Sequence, residues 1–197
     1  MPAALREITR DDLIPDAEFA LVRKERRAAL LPVKKLRRLA LGPYCTFYFE
    51  NFDTMLFQIQ EMLLIEKGGE AQIADELAAY NPLVPQGGEL IATVMFEIDD
   101  PIKRAHLLGS LGDVEQHFYI QVGDHRIPGL PEGDVERSRE DGKTSSVHFL
   151  RFSFTPDQVA AFKASNGQAL IGCDDTRYPH LVLLGPDVRA ELARDFA

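Results

Sequence analysis

Alternating hydrophobic and polar residues mark several short segments of the chain as β-strands. In residues 44–50, Cys45, Phe47 and Phe49 fall on one face, and residues 89–99 repeat the pattern. A period of two residues is typical of a strand with one buried face. The same signal, bounded by turn residues, predicts eight strands: 37–41, 44–50, 89–99, 117–122, 125–129, 146–154, 168–173 and 180–184.

Helical signals lie between these strands. Pro15 is suited to the first position of a helix that we expect to continue until Pro32 interrupts it. Asp53 precedes an apolar run, and we interpret it as the N-cap of a helix over 54–66. Four more helices are predicted at 70–81, 101–111, 155–164 and 185–196.

The order of these elements predicts the fold class. Hairpin-length connections recur, and helices are interspersed irregularly, which favours an α+β fold over a doubly wound parallel sheet. We expect a mostly antiparallel or mixed sheet with helices packed on one face, formed by residues 1–197 as a single domain. An N-terminal helical and basic segment, about 1–36, should pack on it. The most polar stretch, about 131–146, is expected to be a loop.

Composition places the chain among globular proteins. Hydrophobic residues make up 45% and charged residues 27% of the sequence. No apolar run approaches the ~20 residues that a membrane span needs, and the N-terminus lacks the pattern of a secretory signal. Two cysteines, Cys45 and Cys173, are a poor disulfide framework. We therefore expect a cytoplasmic protein that is not bound to a membrane.

Charge is distributed unevenly along the chain. The formal net charge is -9, yet residues 23–38 contain eight basic residues and one acid, which leaves about -16 on the remainder by subtraction. The overall charge and the lack of interleaved aromatic residues argue against nucleic-acid binding. The basic segment is interpreted either as a solvated helix face or as a surface for an anionic partner.

Gln60 stands on a half-apolar stripe of the helix over 54–66, beside Phe57 and Leu64. A buried amide must have its donors and acceptor paired, or it costs on the order of 1–3 kcal/mol. The alternatives are a bond to backbone at a neighbouring strand edge, a position in a pocket, and simple exposure.

His148 and Arg151 pose the same question in the strand over 146–154, where they lie on opposite faces among apolar residues. If both faces are covered, each side chain needs a partner. A buried histidine beside a carboxylate is typical of acid–base catalysis or metal binding, and the alternative is a core histidine that bonds backbone. Carboxylates that end or flank elements are available as partners: Glu50, Asp53, Glu61, Glu97 and Asp99.

The usual motifs of metal, nucleotide and hydrolase sites are missing from the sequence. The five histidines show no paired spacing, and no glycine-rich phosphate loop or nucleophile elbow is present. We therefore predict no metal and no cofactor. Cys45 is expected on the inner face of its strand as a small hydrophobic residue, and Cys173 is not expected to have a redox role.

Four segments carry a resemblance to a known family: LALGPYCTFYFENFDTMLFQIQEML, ELAAYNPLVP, ELIATVMFEI and KTSSVHFLRFSFTPDQVAAF. The chain resembles an uncharacterised bacterial family of unknown function, whose genes often neighbour rubrerythrin-like and iron–sulfur reductase genes. The resemblance implies a redox or peroxide-stress setting and carries over no catalytic residue. The paired carboxylate helices of rubrerythrin are missing here, so no di-iron centre is expected.

Two functional hypotheses follow. The first is an accessory or binding protein that docks on an iron–sulfur or rubrerythrin-type partner, or holds a small anionic ligand. The second is an enzyme whose cleft gathers His148, Arg151 and Gln60 with a carboxylate, Glu50 or Glu61.

A homodimer is also expected from the sequence. Tyr44, Tyr48 and Met95 stand on the outward sides of their strands, and they would form an exposed apolar patch if no helix covers them.

Overall fold

The computed structural model describes residues 2–132, 144–164 and 167–197. Within these ranges the helices are α1 (Asp16–Leu36), α2 (Phe52–Glu66), α3 (Gly69–Tyr80), α4 (Pro101–Ser110), α5 (Pro156–Lys163) and α6 (Pro186–Leu192). The strands are β1 (Arg38–Leu41), β2 (Cys45–Glu50), β3 (Glu89–Phe96), β4 (Phe118–Val122), β5 (His125–Pro131), β6 (Val147–Ser153), β7 (Ala169–Cys173) and β8 (His180–Leu183). Of the polar loop expected at 131–146, residues 133–143 lie outside the described residues.

The strands form one eight-stranded sheet in the order β1-β2-β3-β6-β5-β4-β7-β8. Each pairing in the described part of the chain is antiparallel. The long central pairing of β3 with β6 sets Val94 opposite His148 and Ile91 opposite Arg151. These observations confirm the α+β class and the antiparallel sheet that the sequence predicted.

The sheet curls until its two edge strands, β1 and β8, approach each other. The hydroxyl of Tyr178 accepts from the backbone N–H groups of Tyr44 and Cys45, at 3.1 Å each, and donates to the carbonyl of Leu41 at 2.7 Å. At Gly42, which has a φ of 68°, a Cβ would lie 2.4 Å from the ring of His180. The Tyr178 hydroxyl therefore bonds the backbone of the β1–β2 turn at the place where the two edges of the sheet approach each other.

Two hydrophobic clusters lie on the two faces of the curled sheet. The inner cluster joins strand residues to residues of the later helices, including Phe47, Phe118, Phe152, Leu108, Phe162 and Leu192. The outer cluster joins Ile91 of β3 to α2 and to the N-terminal segment, through Met55, Ile59, Leu63, Ile8 and Leu13. Helices contribute to both clusters, so packing of all helices on one face is not confirmed.

Pro32 lies inside α1, although it was expected to interrupt the helix. A proline lacks the N–H that would bond the carbonyl four residues earlier, here Ala28. Both Ala28 and Pro32 are exposed, so water can serve the freed carbonyl. The helix therefore continues to Leu36.

Asn51, and not Asp53, caps α2. The Oδ1 atom of Asn51 accepts from the backbone N–H of Thr54 at 2.9 Å, and the Thr54 hydroxyl accepts from the N–H of Asn51 at 2.9 Å. Asp53 is already in the first turn of the helix and is exposed. The predicted cap was wrong by two residues because the reciprocal Asn–Thr pair satisfies the first donors earlier.

No helix in the described ranges combines the length and the apolar character needed to cross a bilayer.

We expect Tyr178→Phe to lower the free energy of unfolding by about 1–3 kcal/mol, because the buried N–H of Cys45 and the half-buried N–H of Tyr44 lose their acceptor. The measurement is urea unfolding followed by circular dichroism. Tyr119→Phe is the matched control, since no hydrogen bond of that hydroxyl is found in the described structure, and it should stay within about 0.5 kcal/mol of the wild type. Equal losses in both variants would contradict the assignment.

Candidate functional site

Gln60 is fully buried on α2 and bonds the backbone of the N-terminal segment. Its Oε1 atom accepts from the N–H of Ile14 at 2.9 Å, and its Nε2 atom donates to the carbonyl of Ile14 at 3.1 Å. Asn81 makes the same paired bond to Ile8, at 2.8 and 2.9 Å. The N-terminal segment pairs with no strand in the described structure, and the side-chain amides of Gln60 and Asn81 bond its backbone instead. Gln60 therefore anchors the N-terminal segment.

His148 is fully buried in the inner cluster, with its ring edge-on to Phe96. Its Nε2 atom lies 2.9 Å from the carbonyl of Ser145 and 3.2 Å from the hydroxyl of Thr144. Its Nδ1 atom is 3.9 Å from Oε2 of Glu115, a buried carboxylate. His148 therefore has a carboxylate nearby, although not one of those expected.

Arg151 projects from the other face of β6. Its Nε atom bonds Glu132, its Nη1 atom donates to Glu89 at 2.8 Å, and its Nη2 atom donates to the carbonyl of Pro82 at 2.8 Å. These contacts tie β6 to the start of β3 and to the turn that precedes it. The guanidinium is therefore held in a local ion-pair cluster.

The structure corrects the expectation of one cleft that contains His148, Arg151 and Gln60. Residues separated by an odd number along a strand point to opposite faces, so His148 and Arg151 cannot meet. Gln60 faces the N-terminal segment instead. Glu61 pairs with Arg23 of α1, with N–O distances of 2.5 and 2.6 Å, and this contact lowers the pKa of Glu61.

Of the expected residues, Glu50 lines a cavity on the outer face of the sheet. This Glu50 cavity, of about 410 Å³, lies between the outer face of β2, β3 and β6 and the helices α1, α2 and α3. Its lining is mostly apolar and aromatic: Lys34, Arg37, Tyr48, Phe49, Glu50, Thr54, Met55, Gln58, Tyr80, Leu83, Thr93, Met95, Val147 and Phe149.

The Glu50 carboxyl is buried at the wall of this cavity and bonded by two hydroxyls. Thr54 donates to Oε2 at 2.6 Å and Thr93 donates to Oε1 at 2.7 Å. Burial raises the pKa of Glu50, although the two threonines and the nearby cations Lys34 and Arg37 oppose the shift. A carboxyl with a raised pKa inside a cavity is a frequent property of functional sites.

Arg37 positions the last turn of α1 over the Glu50 cavity. The Arg37 side chain is only 2% exposed, and it donates to Glu191 at 3.0 Å and to Asp195 at 2.5 and 2.9 Å. It also donates to the backbone carbonyl of Glu50 at 3.1 Å. Lys34, one helical turn before Arg37, is thereby placed at the cavity, and it forms no ion pair within 4 Å in the part of the chain that the structure describes.

A second concave surface, the basic groove, of about 910 Å³, runs between α1 and α2. It is lined by Arg27, Leu30, Leu31, Lys34, Lys35, Arg38, Tyr48, Phe57, Gln58, Glu61, Met62 and Ile65. Lys34, Tyr48 and Gln58 line both the groove and the Glu50 cavity, so the two surfaces are adjacent.

Sequence reasoning missed most of the residues that accompany Glu50. Thr93 stands on the outward face of β3, diagonal to Glu50, and Thr54 follows Glu50 by four residues, in the first turn of α2. The sequence did contain one signal for the contact between Glu50 and Thr93: each is a polar residue on the outward face of its strand, and β2 and β3 are neighbours. Lys34 was included only as one member of the basic segment.

The expected apolar patch for a dimer is not open. Tyr48 and Met95 line the Glu50 cavity beneath the helices, and Lys103 of α4 lies 4.6 Å from the ring centre of Tyr44. Helices and a lysine thus cover these side chains in part, and all three are half-buried. The homodimer itself stays a prediction.

The fold and this site define an α+β protein with an outer-face cavity that holds one buried carboxyl. Residues 7–196 match the family described as a protein of unknown function, DUF3501, and the chain belongs to that family. The resemblance to an uncharacterised family is thereby confirmed. No curated protein matches the chain.

A solved structure is closely similar to the chain. It is the crystal structure of a novel protein of unknown function from Burkholderia pseudomallei K96243, with 37% sequence identity and a TM-score of 0.89. The match covers 96% of this chain and 99% of that chain. The fold is therefore shared over nearly all of both chains.

We expect Glu50→Gln to raise the melting temperature at pH 8 relative to the wild type, with a difference that shrinks as the pH falls below the ordinary carboxyl range. A raised folded-state pKa means that the folded protein holds more protons than the unfolded one, so stability falls as the pH rises through that window. The glutamine amide does not titrate and escapes this loss. The measurement is differential scanning calorimetry across pH.

Glu97→Gln is the matched control for that experiment. Glu97 also accepts a threonine hydroxyl, from Thr46 at 2.6 Å, but this hydrogen bond lowers its pKa. Its replacement should therefore destabilise the protein at neutral pH, with the opposite sign to Glu50→Gln. Equal signs in both variants would contradict the assignment of Glu50.

Proposed function

We propose that this protein binds a small, partly apolar anion in the Glu50 cavity. One observation carries the proposal: a cavity of about 410 Å³ with mostly apolar walls also contains a buried carboxyl and a lysine that has no ion pair among the described residues. Small-ligand sites are typically concave, mostly apolar, of about 300–1,000 Å³, and furnished with few polar groups.

The charges around the cavity favour an anion over a cation. Lys34 offers an ammonium group that has no ion pair within 4 Å among the described residues, and Arg27 and Lys35 continue the positive charge into the basic groove. Among the described residues, Glu50 is the only carboxyl in the lining, and its raised pKa favours its neutral form. The apolar part of the ligand would contact Met55, and the anionic part would face Lys34.

We propose further that the protein has an accessory role in a redox or peroxide-stress setting. The family resemblance implies that setting. We also propose a cytosolic location and an iron–sulfur or rubrerythrin-type partner protein. The exposed cations of the basic segment 23–38 are the available surface for an acidic partner. The acidic partner would then distinguish the ligand-bound protein from the ligand-free protein.

An enzyme is the second candidate, and the raised pKa of Glu50 favours it. A neutral carboxyl inside an apolar cavity can act as a general acid at a pH where an exposed one cannot. His148, Arg151 and Gln60 lie outside the Glu50 cavity, so the acid–base role would rest on Glu50 with Thr54 and Thr93. Conversion of a bound ligand by the wild type and not by Glu50→Gln, followed by mass spectrometry, would favour this candidate over simple binding.

We expect the fluorescent anion anilinonaphthalene sulfonate to bind the folded protein. Lys34→Glu should weaken that binding at least about tenfold, because reversal of one charge near the ligand costs a few kcal/mol at an intermediate dielectric constant. The measurement is a fluorescence titration. Lys24→Glu is the matched control, since it makes the same charge change on an exposed position of α1 outside the cavity lining.

The pH dependence of the fluorescence titration tests whether the probe binds beside Glu50. The sulfonate stays charged, so its affinity should rise as the pH falls through the raised pKa of Glu50 and the carboxylate becomes neutral. Among the described residues, the other titratable groups that line the cavity are Lys34 of α1, Arg37 directly after α1, Tyr48 of β2 and Tyr80 of α3, and β3 and β6 contribute none. Glu50→Gln should abolish this dependence. Unchanged binding in Lys34→Glu would overturn the proposal.

A further inference from the structure

The basic groove offers apolar surface that a small ion would leave unused. Five apolar side chains line it: Leu30, Leu31, Phe57, Met62 and Ile65. Ile65 is 64% exposed and Leu31 is 56% exposed. Large apolar residues that gather in a groove, and are not scattered singly, indicate a surface for an apolar ligand group.

Cations form the rim of the same groove. Arg27, Lys34 and Lys35 have no ion pair within 4 Å in the described ranges, and the one acid in the lining, Glu61, is paired with Arg23. The groove therefore carries excess positive charge beside its apolar floor. A ligand complementary to it has an aliphatic part and an anionic head.

The groove and the Glu50 cavity form one path along α2. Met55 lines the cavity and Ile65 lines the groove, and their positions along the helix differ by about 15 Å at the usual rise per residue. Lys34, Tyr48 and Gln58 border both parts. An elongated ligand can therefore contact both surfaces at once.

We propose that the ligand is a single-chain amphiphile with one anionic head, taken from solution, whose aliphatic chain lies along the Glu50 cavity and the basic groove. This inference rests on the function proposed above and names its ligand class. The chain removes the apolar residues of both surfaces from water, and the head neutralises the cations of α1.

Two other occupants fit the same surfaces less well. A peptide would bring backbone polar groups into a cavity where both oxygens of Glu50 are already bonded by Thr54 and Thr93. A bilayer surface would reach exposed Ile65 but not Met55, which is buried at the cavity wall. A free amphiphile reaches both.

The test is calorimetric titration of the folded full-length protein with hexanoate, octanoate, decanoate and dodecanoate below their micelle concentrations. Each added methylene should tighten binding about fourfold until the path is filled, in line with the transfer free energy of a buried CH₂. Dodecanol, which lacks the anionic head, should bind at least tenfold more weakly than dodecanoate.

Matched variants separate the groove from the cavity. Ile65→Asp should weaken dodecanoate at least tenfold and leave hexanoate unchanged, because only the longer chain reaches the groove. Leu21→Asp is the control: Leu21 is 85% exposed on α1 and does not line the groove. Both substitutions are at exposed positions, so the fold should survive them.

The outcomes distinguish this inference from the proposed function. Affinity that does not depend on chain length, or an Ile65→Asp variant that binds dodecanoate normally, would overturn the amphiphile and leave anion binding at Lys34 intact. Binding to anionic phosphatidylglycerol vesicles without binding of dissolved dodecanoate would also overturn it, in favour of a membrane surface. Loss of the Lys34 effect on the sulfonate probe would instead remove the proposed function itself.

Discussion

Arg37 joins three parts of the chain at the point where α1 ends and the sheet begins. Its guanidinium bonds Glu191 and Asp195 near the C-terminus and the backbone carbonyl of Glu50 at the end of β2. Burial raises the pKa of Asp195, and the contact with Arg37 opposes that shift, so each charge depends on the other. Loss of one partner from such a buried pair typically costs about 3–5 kcal/mol, because the remaining charge is uncompensated. The position of α1, and with it the opening of the Glu50 cavity, depends on this contact.

The curled sheet separates two kinds of buried polar group. His148 lies in the inner cluster, where Thr144, Ser145 and Glu115 surround its ring. Glu50 lies on the outer face, where helices cover the sheet incompletely and leave a cavity. A polar group sealed within a packed core can stabilise the fold, whereas one beside open volume is also available to a ligand. This difference in surroundings, and not a difference in residue chemistry, makes Glu50 the centre of the candidate site.

Periodicity predicted the elements well and their polar contacts poorly. β2 and β3 follow the alternation of their sequences closely, because inward residues such as Phe47 and Val94 must leave water together. Pro32 and Asp53 misled the prediction, since exposure of α1 tolerates an internal proline and the Asn51–Thr54 pair caps α2 earlier. A bond from Gln60 to backbone at a strand edge was one of three alternatives; Gln60 does bond backbone, but its partner Ile14 lies outside the strands, 46 residues away in the sequence, and has no local signal.

The sequence by itself determined which faces of the strands and helices are apolar, because side-chain direction follows directly from the period of each element. It also identified Glu50 and the basic segment 23–38 as polar groups that need an explanation. Only the tertiary structure decided that Glu50 meets Thr93 and a cavity, that Glu61 is paired with Arg23, and that His148 lies beside Glu115. Such pairings depend on the distances between elements that are remote in sequence, and those distances are set by packing across the whole sheet.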